Sequence, residues 1–118
     1  MGRRSRRRGK EDRPLAATTD YADAEGNVLT LRDELSTGTL RSLRDLDAKP
    51  AASAEDRWQR RVELLFERLA VRWVIADLPL EGQKELLGRY RLASSSERQQ
   101  VRETLATHLA KHHPEIEV

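Results

Sequence analysis

The chain has 118 residues, which suits one domain, and its 36% charged and 37% hydrophobic residues make it charge-rich but foldable. Cysteine is absent, which excludes disulfides, thiolate nucleophiles and Cys-ligated metal centres. No run of about 18 apolar residues exists to span a membrane, and the basic start lacks the apolar stretch of a secretory signal, so cytoplasmic residence with no membrane partner is expected.

The formal net charge of +2 hides an asymmetry. Residues 1–13 carry seven cations (Arg3, Arg4, Arg6, Arg7, Arg8, Lys10 and Arg13) against Glu11 and Asp12, a net +5, while the remainder carries a net −3. Gly2, Gly9, Pro14 and like-charge repulsion predict a disordered arm over residues 1–17. Arginine offers phosphate a planar fork of donors, so these seven cations are the candidate nucleic-acid-binding residues, for DNA or RNA. Arginine also outnumbers lysine 18 to 4 in the whole chain, so part of the bias belongs to the chain at large.

After the arm, Glu25-Gly26-Asn27 ahead of VLTLR predicts a short hairpin, Asp20–Asp23 against Val28–Arg32, that must dock on helices or pair with another chain. The DAEGN stretch has the look of a calcium loop, but with Gly26 as its turn glycine the first and last ligands would be Tyr21 and Arg32, which rules calcium out. Ser36 or Thr37 caps a short helix over 37–48, with Leu40, Leu43 and Leu46 as its stripe.

The strongest helical pattern runs over 54–77. Ser53 is a good cap, Glu55 and Asp56 favour the first turn, and Trp58, Val62, Leu65, Leu69 and Trp73 share one face. Leu64, Val71, Val74 and Ile75 lie on other faces, so residues 69–76 read as a helix apolar all round, a core centre or a surface for itself or another protein. Arg72 inside this stretch must pair, with Glu63, Glu67 or Asp77, or reach water. Pro79 suits the start of a helix over 80–92, and Ser94–Ser96 turn the chain into a last helix over 96–112 that Pro114 stops. The expected fold is mostly α: about four helices, with room for the N-terminal hairpin.

Three motifs bear on chemistry. The last two helices have helix-turn-helix spacing, with Arg98, Gln99, Gln100 and Arg102 placed to meet base edges, but Glu97 and Glu103 flank them. His108 and His112 lie one helical turn apart, as two metal ligands would; the nearest third candidate is Glu115 beyond the proline, too incomplete a set to assign a metal. The pairs Glu63/Glu67 and Glu81/Glu85 sit among Arg60, Arg68, Lys84 and Arg89 and read as a solvated ion-pair lattice. No P-loop, G-x-S-x-G or G-x-G-x-x-G occurs, and all three histidines fall in the final turns of the last helix, so neither an enzyme nor a cofactor is expected. The reading is a non-catalytic binding protein whose arm holds nucleic acid; the alternative is a protein-protein or homo-oligomeric module.

Overall fold

The computed structural model describes residues 17–50 and 53–116; the seven cations of the basic arm lie outside them. The fold is α+β rather than mostly α. Among the described residues, four antiparallel strands form one sheet in the order β1-β2-β3-β4, and four helices accompany it.

Strand β1 (Thr18–Ala22) pairs with β2 (Val28–Arg32), and the Asp33 N–H carries the ladder on to the Ala17 carbonyl at 2.9 Å. The turn between them is held by Asp23, whose carboxylate accepts from the backbone N–H groups of Glu25 and Asn27 and from the Asn27 side chain. Gly26 sits there at φ 86°, a conformation that favours glycine. The stretch with calcium-loop looks is therefore an Asx turn.

Helix α1 (Thr37–Ala48) is capped by the Ser36 hydroxyl, which accepts from the Thr39 N–H. Helix α2 (Ala54–Leu69) is capped by Ser53 and carries Glu55 and Asp56 in its first turn. It ends eight residues before the expected 77. Residues 70–75 form β3 (Ala70–Ile75), which pairs with β2 on one side and with β4 (Leu78–Glu81) on the other. Val71, Val74 and Ile75 are β-branched, which favours the pleated conformation, and the apolar character on both sides is that of a central strand. Where a helix apolar all round was expected, Leu69, Ala70 and Trp73 are buried in the chain's own core and Val71, Val74 and Ile75 are half-buried. Val71 is an extra residue in the ladder, because Thr30 pairs with Arg72 and Leu31 with Ala70; the resulting bulge bends the sheet.

Pro79 does not start a helix. It lies in edge strand β4, where a missing N–H is tolerated. The two-residue connection Ala76-Asp77 has φ of 51° and 67°, the signature of a type I′ hairpin turn. Its natural occupants are Asn and Gly, and alanine with positive φ costs about 1–2 kcal/mol. The double change Ala76→Asn/Asp77→Gly is expected to raise stability by about 1 kcal/mol, seen as a higher urea midpoint at unchanged m-value. A lowered midpoint would contradict the turn assignment.

Gly82, at φ 102°, then turns the chain into α3 (Gln83–Arg91), three residues later than expected because Leu80 and Glu81 belong to β4. Helix α4 (Ser95–His112) begins with a reciprocal capping box between Ser94 and Glu97.

The inward residues of the sheet, among them Leu29, Leu31 and Trp73, bury against Val62, Leu65, Phe66 and Leu69 of α2, Leu86 and Tyr90 of α3, and Val101, Leu105 and Leu109 of α4. Phe66 is the hub, stacked on Tyr90 at 5.0 Å and edge-on to Trp73 at 5.7 Å. The outer sheet face is arranged in rows by the register: Ala22, Val28, Val74 and Pro79 across one row, Asp20, Thr30, Arg72 and Glu81 across the next. Arg72 is therefore half-exposed on this face, with its Nε 3.6 Å from Glu81; no buried ion pair exists there.

Candidate functional site

The described residues bring one polar cluster together in the core: His108, His112 and His113 from the last two turns of α4 and its C-cap, Asp33 just past β2, and Tyr21 and Thr19 from the inner face of β1. Helical spacing puts His108 on the same face as Val101 and Leu105, so the helix carries it fully inside, at 0% exposure.

Both His108 ring nitrogens are engaged. Nε2 lies 2.7 Å from the Arg32 carbonyl and Nδ1 lies 2.7 Å from the Tyr21 hydroxyl. A carbonyl can only accept, so Nε2 carries the proton and Nδ1 accepts from Tyr21. Burial pushes the His108 pKa down, and the nearby His112 and His113 act in the same direction, against the Arg32 carbonyl and the Asp33 charge. Tyr21 is pushed up by burial and then by Asp33, so its hydroxyl keeps the proton it donates.

Asp33 organises the rest. Its Oδ1 accepts from Thr19 Oγ1 at 2.5 Å and lies 3.5 Å from His112 Nε2. Its backbone carbonyl accepts from His113 Nε2 at 3.0 Å. The His108 and His112 rings are 4.6 Å apart between centroids. His112 Nε2 is buried yet has no hydrogen-bond partner, the one such side-chain atom among the described residues. Asp33, His108 and His112 each offer a ligand atom, and these atoms lie within 4.8 Å of one another. Glu115, the third ligand candidate by sequence, faces His113 at 3.7 Å instead. Asp33 carried no local signal, since it is 75 residues or more from both histidines and only the docking of α4 over the β1–β2 hairpin joins them.

A consequence for pH follows. The neutral native His108 has a lowered pKa, so below the unfolded value of about 6.5 the unfolded chain binds the proton first. The stability His108 contributes is intact above that pH and is lost as pH falls toward its native pKa. Urea unfolding in chelator-treated buffer is expected to show falling stability from about pH 7 to pH 5.5, with a shallower fall in His108→Leu. Equal slopes in the two proteins would show that His108 is not held neutral.

Two of the four helix-turn-helix residues, Gln99 and Arg102, are committed to local contacts. The Arg102 guanidinium lies 4.2 Å over the Trp58 ring and also donates to Gln99, while Gln99 donates to Glu103. Arg98, Gln99 and Arg102 line a polar cleft of about 380 Å³ with Glu55, Gln59 and Glu63. The glutamate pairs resolve into other contacts: Glu63 with Arg91, Glu81 with Arg72, and Arg89 with Glu97. Glu97 is held below the usual carboxylate range first by the Ser94 backbone N–H and then by Arg89.

No helix among the described residues is long and apolar enough to cross a membrane. Comparison of the chain with protein-family models, with curated proteins and with solved structures finds no match.

Proposed function

We propose that the chain is a non-catalytic, cytoplasmic binding protein whose arginine-rich N-terminal arm associates with the phosphate backbone of nucleic acid. The observation that supports this reading is the segregation of charge: a net +5 in residues 1–13 against a net −3 in everything that follows. A mildly acidic body repels a polyanion, so attraction has to come through the arm. The helix pair α3–α4 is a poor alternative reader, because Gln99 and Arg102 are held by Glu103 and Trp58.

Binding of a labelled duplex DNA and a structured RNA, measured over a salt series for the full chain and for a chain beginning at Pro14, tests the reading. With all seven cations on phosphates, log K falls against log salt with a slope near about −6, and removal of the arm abolishes binding. Failure of the full chain to bind at low salt, or equal binding without the arm, overturns it.

A second reading, self-association, is favoured by the apolar row Ala22, Val28, Val74 and Pro79 across the outer sheet face. It replaces the all-round apolar helix, whose residues the sheet and core now account for. A melting temperature that rises with protein concentration would support it, and a monomer at high concentration in sedimentation would remove it.

A further inference from the structure

We propose that Asp33, His108 and His112 form a binding site for a divalent first-row transition ion, with Zn²⁺ as the probe. Two independent observations carry it. The first is convergence: two imidazoles one helical turn apart on α4 meet a carboxylate from the end of β2, with their ligand atoms within 4.8 Å of one another. The second is His112 Nε2, a buried nitrogen with no hydrogen-bond partner, 3.5 Å from Asp33 Oδ1. Buried polar atoms almost always have a partner; this one has only the 3.5 Å approach to Asp33, and an ion between the two would satisfy both. Two ligands each bonded to zinc at about 2.0–2.1 Å in a tetrahedron stand about 3.3–3.4 Å apart. The His112–Asp33 pair, at 3.5 Å, is already near that spacing, and the atoms that stand up to 4.8 Å apart have to close by about 1.4 Å.

The surroundings suit the role. Imidazole and carboxylate together select borderline cations over calcium or magnesium. The proton on His108 Nε2 is fixed by the Arg32 carbonyl, which leaves the lone pair on Nδ1, now capped by the Tyr21 hydroxyl. An ion taken at Nδ1 displaces that hydroxyl and keeps the carbonyl contact, the arrangement that orients metal-bound imidazoles. Thr19 holds the Asp33 carboxylate as its own outer partner. With ligands from β2's end and α4's last turns, the ion ties the hairpin to the C-terminal helix. Three protein ligands leave the remaining coordination positions to water.

The chain suits a clean test, because it has no cysteine and its three histidines all belong to this cluster. Untagged full-length protein is titrated with Zn²⁺ by calorimetry, and with Co²⁺ while its visible absorption is followed. One ion per chain is expected. Both His112→Gln and Asp33→Asn should weaken binding at least about tenfold, and Glu115→Gln, at an exposed carboxylate that faces His113 and not the site, should leave it within about threefold. Circular dichroism confirms that each variant is folded; these side chains are less buried than His108, whose replacement is avoided for that reason. No saturable binding by the wild type overturns the proposal. So does binding that survives both His112→Gln and Asp33→Asn, or that Glu115→Gln weakens as much as they do.

Discussion

Phe66→Ala is expected to cost about 3–5 kcal/mol of unfolding free energy. Phe66 is fully buried on α2, stacked on Tyr90 from α3 and edge-on to Trp73 from β3. Its removal deletes a large apolar side chain at the point where helices and sheet meet, and leaves a cavity with a ring on each side that cannot collapse far. Small domains have about 5–15 kcal/mol in total, so the variant should be partly unfolded under mild denaturant. Urea unfolding reads the loss directly, and Phe66→Leu should lose less because it fills more of the space. A loss under about 1 kcal/mol for Phe66→Ala would mean the ring is not in the core.

His108→Leu is expected to cost about 2–4 kcal/mol, from two polar groups left without partners in the interior. The Tyr21 hydroxyl and the Arg32 carbonyl both lie 2.7 Å from the ring nitrogens, and leucine can satisfy neither. Each buried orphan costs about 1–3 kcal/mol, partly offset by the better burial of an apolar side chain. Adding Tyr21→Phe removes one of the two orphans. The double variant should therefore be more stable than the sum of the single losses predicts, with a coupling of about 1 kcal/mol or more. Strict additivity would show that the two side chains do not meet.

Three helix starts were legible because each has a local chemical cause: Ser36, Ser53 and Ser94 accept the capping N–H bonds. Helix α3, which begins after Gly82 with no side-chain cap, starts three residues later than the sequence pattern predicts. The end of α2 was not legible either. Trp73 continues the spacing of Trp58, Val62, Leu65 and Leu69, and no glycine or proline marks residue 70 as a stop. Yet Trp73 reaches the core from a strand, with Arg72 and Val74 facing outward on either side of it. Over six residues that alternation is too short to separate from a helix with an apolar surround; the density of β-branched side chains was the usable sign. Strand β4 was hidden by Pro79, which suits a helix start and a sheet edge equally. Of the polar cluster, the sequence shows the two histidines at one-turn spacing. Asp33, Tyr21 and Thr19 join them only through the sheet and the docking of α4, which no local pattern encodes.

Pro79 also has a consequence for how these molecules meet one another. Ile75 and Leu78 flank the two-residue turn, so the next pair, Val74 and Pro79, points the proline's nitrogen away from β3 toward the rim of the sheet. That rim lacks a donor where an incoming strand would need one, whereas β1, at the opposite side, contains no proline. Strand addition is thus favoured on one side only. Two copies joined through β1 would bury both receptive rims and expose two blunted ones, so growth by this route stops at a pair instead of running on into a fibre.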